Sequence, residues 1–338
     1  MLTNSKQTDN KKKELLAKII SLITGNFVWV LVILVTIIAS IITPVFFSIA
    51  NLHNLLVTST VLGLLVLGES IVLLTGNFDN SLEATLMFSA MVAAWLTVDH
   101  TYASGLLLNS IWGVLALLVV GALIGAINGF SVGYIGMQPF ITTFATTVII
   151  TGLSILMTGG AILTPFQKDF TILGRAMVGP LPLSGLVTIG LYVVVHIILK
   201  YTPIGRSFYV VGSNLEAAKA LGINVKKTQM VAFIIAGVLA AIAGWILGGR
   251  LNSASSQMST GQLFLAYGAA VIGGVKLGGG EGKAFGMFGG VVLISAISTL
   301  MNLAQVDPYV IRATTGVVIL LAMLVDTIRS GEFLRARN

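Results

Sequence analysis

The sequence contains no cysteine, only three histidines and few charged residues. Without cysteine, disulfides, thiolate metal sites and cysteine nucleophiles are excluded. His53, His100 and His196 lie far apart along the chain, so no metal-ligand spacing exists and we predict no metal site. Charged residues make up 9% of the chain, whereas soluble domains carry about a quarter. A soluble globular fold is therefore excluded.

Apolar residues dominate what remains. The 338 residues are 56% hydrophobic, and the mean hydropathy is +0.99. Apolar runs repeatedly reach the roughly 20 residues that a helix needs to cross the hydrocarbon core. The sequence therefore predicts an all-α polytopic membrane protein with about ten spans. Their approximate positions are 27–47, 55–75, 81–98, 111–134, 139–158, 182–200, 229–249, 262–278, 284–304 and 309–328.

The distribution of Lys and Arg indicates the orientation of these spans, because both residues concentrate in cytoplasmic loops. With the N-terminus inside, fifteen of the 19 fall on the inner side. The outer side keeps Lys168, Arg175, Arg250 and Arg312. This sorting explains the net charge of +7 without a nucleic-acid partner. We predict a cytoplasmic tail and amphipathic approach at 1–25, a membrane domain at 26–328 and a cytoplasmic tail at 329–338.

One polar stretch, from Gly205 to Ile223, interrupts the hydrocarbon pattern. It lies in the predicted cytoplasmic loop 201–228. Ser213 or Asn214 can cap a helix there, the following residues are strong helix formers, and Gly222 occupies the position of a terminating glycine. A short helix that faces a soluble partner is predicted.

Glycines recur every fourth residue in the span at 111–134. In a helix, such glycines form one smooth ridge against which a second helix can pack at backbone distance. Tight packing is the favoured interpretation, and a sliding contact in a moving transporter is the alternative. The ridge consists of Gly121, Gly125, Gly129 and Gly133.

Ionisable groups inside the membrane are costly and usually face a cavity or a partner. Glu69, in the middle of the second span, is either a pathway or gating residue or a carboxyl that is protonated or bonded to Ser70 in a helix interface. Asp79 and Glu83 lie at a span end, where a solvated or helix-capping role is favoured over substrate contact. Asp307 and Arg312 are predicted at the outer mouth.

Two glycine- and polar-rich segments, 76–83 and 276–283, are predicted to be interruptions of discontinuous helices or tight turns. The segment 276–283 suggests a phosphate-binding loop, but its residues do not match the sequence pattern of such a loop. That loop needs a glycine five positions before Gly-Lys and Ser or Thr after it. Leu277 and Ala284 occupy these positions, so nucleotide binding by this chain is rejected. No arrangement of catalytic residues for hydrolysis is found either.

Residues 205–224 resemble the G-R…G-x-N…A-A…G-I segment of the ATP-binding-cassette importer permeases for ribose, xylose, arabinose, galactose and autoinducer-2. Further matches cover nearly the whole chain from about residue 50. They lie at 128–129, 139–143, 151–152, 158–160, 248–254, 269–274, 278–283 and 316–326.

The resemblance implies a type II importer-like permease in the bacterial inner membrane, with both termini cytoplasmic. It also implies a second permease copy or homologue, two cytoplasmic ATPase subunits that bind ATP and magnesium, and a periplasmic or lipid-anchored substrate-binding protein. This chain itself would hold no cofactor and no ATPase site. The polar loop would dock into an ATPase groove through Arg206, Gly212, Asn214, Glu216, Ala217, Ala218, Gly222 and Ile223. The two alanines would let the helix sit closely in that groove.

The segment 76–83 departs from the family pattern G-G-I-D-L-S-V-G. Asp79 and Ser81 match, but Asn77, Phe78, Asn80 and Glu83 do not. A pathway or gate built from Glu69, Asp79, Ser81 and Glu83 would then suggest a solute other than the usual pentoses and hexoses. The leading hypothesis is ATP-driven import of a monosaccharide-like solute. The alternatives are a secondary transporter with Glu69 as its proton carrier, and a membrane scaffold without transport.

Overall fold

The computed structural model describes residues 27–307 and, beyond them, residues 309–311, 313–314, 316–317, 320 and 324. The predicted tails, Arg312 and most of the span predicted at 309–328 lie outside the described residues. Within 27–307 every predicted span contains a helix, although the helix in the span predicted at 262–278 ends at Ile272. The helices are α1 (Phe27–Ile42), α2 (Ile49–Leu74), α3 (Leu82–Thr97), α4 (Ser110–Phe130), α5 (Pro139–Thr158), α6 (Lys168–Arg175), α7 (Leu183–Tyr201), α8 (Pro203–Ser213), α9 (Leu215–Ala220), α10 (Val225–Leu251), α11 (Gln262–Ile272) and α12 (Ala284–Leu303).

Six helical segments in the described part of the chain are long and apolar enough to cross a membrane. They are Ile49–Leu74, Ser110–Ile135, Pro139–Thr158, Leu183–Tyr201, Val225–Leu251 and Ala284–Leu303. The second of these is α4 continued by a π-helical turn at Ser131–Ile135. Helices α1, α3 and α11 are apolar but shorter. An all-α polytopic architecture is therefore confirmed, whereas the count of ten spans and the sidedness of the termini stay predictions.

Local chemistry explains where the helices differ from the predicted spans. The first span ends at Ile42, because Pro44 lacks a backbone N–H and begins a 3₁₀ turn at Pro44–Phe47. The second span begins early, at Ile49, because the Ser48 side chain accepts a hydrogen bond from the Asn51 backbone N–H. Between α6 and α7, Met177–Val178 pairs antiparallel with Leu181–Pro182 in a two-residue hairpin.

Helices α2 and α10 form the centre of the molecule. The α2 helix is buried on all sides from Thr60 to Leu74, and it packs against α10, α11 and α12. The α10 helix also contacts α3, α4 and α6. By contrast, α1, α4, α5 and α7 carry exposed large apolar side chains such as Ile41, Ile111 and Leu156. Such a distribution is typical of a helix bundle whose outer surface faces lipid.

The ridge of four glycines on α4 and its π-helical continuation lies directly against the backbone of α10. A Cβ atom added at Gly121 would lie 2.4 Å from the Gly237 carbonyl oxygen, and one added at Gly125 would lie 2.3 Å from the Phe233 carbonyl oxygen. At Gly129 and Gly133 it would meet the backbone of Met230 at 2.7 Å and of Lys226 at 2.8 Å. The ridge thus brings two helices together at a distance that no larger residue permits.

We expect Gly125→Val to destabilise the folded protein by about 1–3 kcal/mol, because the β-branched side chain must push α4 away from α10. Thermal unfolding of the full chain in detergent measures the effect as a lower Tm. Gly152→Val on α5 is the matched control, since no atom lies within 4 Å of a Cβ built there. Equal Tm values for both variants would contradict the close α4–α10 contact.

Candidate functional site

The polar stretch contains a short helix, α9, that is capped at both ends. The Asn214 side-chain oxygen accepts hydrogen bonds from the backbone N–H groups of Glu216 and Ala217, at 2.9 and 3.0 Å. At the other end, the N–H of Ile223 donates to the Ala218 carbonyl and the N–H of Gly222 to the Lys219 carbonyl. Gly222 adopts the φ of +75° that this type of helix end requires. The predicted short helix is therefore confirmed, and its caps compensate for a length that is marginal by itself.

The outward surface of α9 differs from the predicted one. Glu216 and Lys219 are exposed and form an ion pair at 2.7 Å. Ala217 is exposed, but Ala218 is completely buried against the rest of the chain. The expectation that both alanines face a groove on a partner is therefore wrong for Ala218, whose small size lets α9 lie close to its own protein.

Two exposed leucines flank the charged pair, and sequence reasoning missed both. Leu215 is 47% exposed and Leu221 is 70% exposed. Their position beside a helix cap was the available signal, but in so apolar a sequence a leucine does not stand out. The exposed surface of α9 is therefore mixed, with a charged pair between apolar side chains. Such a composition is typical of a protein contact rather than of a solvated loop.

Arg206 and Gly212 belong to a separate helix, α8, that precedes α9. Asn214 ends α8 and begins α9, with an extended backbone at φ −162°. Arg206 is exposed on α8. The residues of the proposed docking set are therefore brought to one end of the molecule on two successive helices.

Gly212 lies at a junction of three chain segments that are far apart in sequence. A Cβ atom added there would lie 2.0 Å from the Leu74 carbonyl oxygen, at the end of α2, and 2.6 Å from the Gly280 backbone nitrogen. Gly280 in turn donates its N–H to that same Leu74 carbonyl at 3.0 Å. Gly76 and Gly279 complete this glycine junction, because a Cβ at Gly279 would lie 2.7 Å from the Gly76 nitrogen. The end of α8 thus touches the end of α2 backbone to backbone.

Tyr209 on α8 reinforces the glycine junction from a second side. Its hydroxyl donates a hydrogen bond to the Gly282 carbonyl at 2.8 Å. Partial burial raises the pKa of the Tyr209 phenol above its ordinary value of 10.0. The phenol therefore remains protonated at neutral pH and keeps its donor.

The predicted pathway residues Glu69, Asp79 and Ser81 lie together in the interior. The Asp79 backbone N–H approaches Glu69 Oε1 at 3.4 Å, and the Ser81 hydroxyl donates to Asp79 Oδ1 at 2.6 Å. The Asn128 amide of α4 donates to the Ser81 oxygen at 2.8 Å. Glu69 is completely buried, and the structure pairs it with Asp79 rather than with Ser70. These residues tie the segment between α2 and α3 to its surroundings.

Glu83 lies in a different place and caps another helix. Its carboxylate accepts hydrogen bonds from the backbone N–H groups of Gly261 and Leu263, at 3.0 and 2.8 Å, where α11 begins. A carboxylate at a helix N-terminus is favoured by the helix dipole. The short helices α3 and α11 therefore begin side by side, and Glu83 joins them.

The residues at which the segment 76–83 departs from the family pattern are engaged in internal contacts. The Asn80 backbone N–H donates to Thr143 Oγ1 at 3.0 Å, and Thr147 Oγ1 donates to the Asn80 carbonyl at 2.9 Å. The Asn77 amide donates to Thr75 Oγ1 at 2.8 Å. Asn80 makes these two contacts through its backbone, whereas the Asn77 amide and the Glu83 carboxylate form internal hydrogen bonds through their side chains. The suggestion of a solute other than the usual pentoses and hexoses stays a prediction.

Comparison with known proteins gives consistent matches over nearly the whole chain. A family described as "Branched-chain amino acid transport system / permease component" matches residues 51–325. Ribose import permease protein RbsC of Escherichia coli (strain K12) is 32% identical over 304 residues, which are 88% of this chain and 91% of that protein. Galactose/methyl galactoside import permease protein MglC of Salmonella typhimurium is 30% identical over 317 residues, which are 90% of this chain and 94% of that protein.

Proposed function

Because the chain belongs to the family described as the permease component of branched-chain amino acid transport systems, we propose that it forms the translocation path of an ATP-binding-cassette importer for a monosaccharide. The observation that carries this function is the similarity to ribose and galactose import permeases over about nine tenths of the chain. The long apolar helices agree with a multi-pass protein, which we assign to the bacterial inner membrane.

The geometry of α8 and α9 supports a docking site for the ATPase. Glu216, Ala217 and Arg206 are exposed and accessible to a partner, and Asn214, Gly222 and Ile223 fix the shape of α9. In this assignment two ATPase subunits bind ATP and magnesium, and this chain hydrolyses nothing. A second permease copy or homologue and a substrate-binding protein complete the importer. The positive-inside distribution of Lys and Arg supports a cytoplasmic position for α9 and for both termini.

The glycine junction gives the docking helix a short route to the membrane core. A movement of α8 would displace the end of α2 directly at Gly212, because no flexible side chain lies between the two backbones. The segment that holds Asp79 and Ser81 begins at the same end of α2, and Glu69 lies within α2 close to that end. We therefore assign α2 as the element that carries the effect of ATP binding toward the interior, and these residues as the fixed link between α2, α3 and α4.

We expect transport to require ATP and to tolerate the loss of the Glu69 charge. The full importer, reconstituted in lipid vesicles, should take up labelled D-ribose or D-galactose only with ATP and the ATPase. Glu69→Gln should retain this uptake, because a glutamine side-chain oxygen can still face the Asp79 N–H. The proton-coupled alternative is not favoured by the similarities to import permeases. It would require uptake that follows an imposed pH gradient without ATP and that disappears in Glu69→Gln, and this result would overturn the proposed function.

A further inference from the structure

A recess of about 290 Å³ lies between α2, α11 and α12. Its volume is close to the lower end of the roughly 300–1,000 Å³ that small-molecule sites occupy. The recess is lined by α2 from Asn51 to Leu62 and by α12 from Ile294 to Leu303. It is remote from the glycine junction, because it lies at the start of α2 and the end of α12.

The recess leads from one end of the molecule toward its middle. Its lining on α2 covers about 16 Å at a helical rise of roughly 1.5 Å per residue. At the inner end lie Gln262 and Leu265, in the first turns of α11. The start of α11 is held beside the start of α3 by Glu83. The recess therefore reaches the level at which the two short helices begin, about half of the ~30 Å hydrocarbon thickness.

Uncharged polar groups line the recess. Amide and hydroxyl side chains predominate, and no Asp, Glu, Lys, Arg or His lines it among the described residues. Between these polar groups lie the apolar side chains of Leu62, Leu265 and Ile294. Polar side chains in a membrane bundle are costly and need a reason. The principal polar groups are Asn54, Thr58, Gln262, Ser295, Ser298 and Thr299.

Several of these polar groups have unused hydrogen-bonding capacity. Within residues 27–307, the hydroxyls of Ser295, Ser298 and Thr299 and the side-chain amide of Gln262 form no hydrogen bond to protein. Helical Ser and Thr elsewhere in this chain usually donate to a carbonyl in the preceding turn, as Ser154 does at 2.7 Å. The free groups on α11 and α12 therefore converge on the recess without internal partners.

We propose that this recess is a binding site for a neutral polyol, and that a monosaccharide occupies it during passage. A sugar presents hydroxyl donors and acceptors on a compact carbon framework, which the mixed lining of the recess can pair and cover. A zwitterionic amino acid would bury a carboxylate and an ammonium group without opposite charges, which is unfavourable. This assignment rests on the proposed transport function and specifies the part of the path where the solute is bound.

The absence of cysteine permits a direct test on the full chain in lipid vesicles. Ser298→Cys places the only thiol in the recess, where a small polar thiol reagent should label it. With D-ribose at roughly ten times its dissociation constant, the labelling rate should fall about tenfold, because the unoccupied fraction falls by that factor. L-leucine should give no protection. Thr101→Cys, on an exposed loop between α3 and α4, is the control, and neither solute should change its labelling rate.

Failure of this assignment is distinguishable from failure of the proposed function. If the unsubstituted importer takes up sugar with ATP but neither D-ribose nor D-galactose protects Ser298→Cys, the recess is not a sugar site. Equal protection by L-leucine would overturn the assignment to neutral polyols. If the unsubstituted importer shows no ATP-driven sugar uptake, the proposed function itself is wrong. Ser298→Leu gives a second measurement, since filling the recess should reduce uptake at least about tenfold with assembly intact, a loss of roughly 1.4 kcal/mol.

Discussion

Gly212→Ala is expected to abolish ATP-driven uptake while the importer remains assembled. The added Cβ would lie 2.0 Å from the Leu74 carbonyl oxygen, so α8 and the end of α2 must separate. Both contacting groups are backbone and cannot rotate away, as a flexible side chain could. A loss of at least about tenfold in uptake is expected, which corresponds to roughly 1.4 kcal/mol. Uptake in reconstituted vesicles and co-purification of the ATPase measure the two effects separately.

The matched control is Gly190→Ala on α7, where a Cβ has no atom within 4 Å. It makes the same chemical change in a helix without a close contact, so its uptake should equal that of the unsubstituted protein. Co-purification of the ATPase with Gly212→Ala should persist, because α9 keeps its own caps. Normal uptake by Gly212→Ala would show that the glycine junction does not transmit movement from the docking helix to the membrane core.

The caps of α9 and the α4 ridge could be predicted from the sequence because both depend on neighbours in the chain. Asn214 and Gly222 mark the start and the end of α9 in the sequence. The hydrogen bonds that cap the helix join residues that are close together in the chain. The four-residue spacing of the α4 glycines fixes one face of a helix. The partner of that face could not be predicted, since any helix with small residues would meet the same requirement.

The glycine junction could not be predicted, because it brings together Leu74, Gly212 and Gly280 from distant parts of the chain. A glycine in a sequence indicates that unusual backbone angles or a close approach of another chain segment are possible. It does not indicate which segment lies against it. The same limit applies to Glu83, whose role depends on Gly261 lying beside it after folding. The burial of Ala218 could not be predicted from the sequence either, because an alanine can lie on the buried or the exposed face of α9. Contacts between distant segments follow from the packing of α2 and α10, and only the structure shows them.

Glu216→Lys is expected to prevent docking of the ATPase without unfolding α9. The Glu216 side chain is 81% exposed, so its ion pair with Lys219 contributes little to stability. Loss of a negative charge in the first turn costs about 0.3–1 kcal/mol, and the Asn214 cap remains. A lysine at this position places two positive charges side by side on the docking surface. Where Glu216 faces a positive group of the ATPase, the lysine brings like charges together across the interface, which costs several kcal/mol, so the ATPase should no longer co-purify and uptake should cease.

Two further variants, Glu216→Gln and Asp99→Lys, show whether a loss of docking comes from the missing ion pair, from the added positive charge or from charge reversal in general. The glutamine variant removes the ion pair but adds no repulsion, so partial docking is expected if electrostatics determine the contact. Asp99→Lys makes the same charge reversal at an exposed position between α3 and α4, away from α9, and should leave co-purification unchanged. If Glu216→Lys assembles and transports like the unsubstituted chain, α9 is not the docking helix.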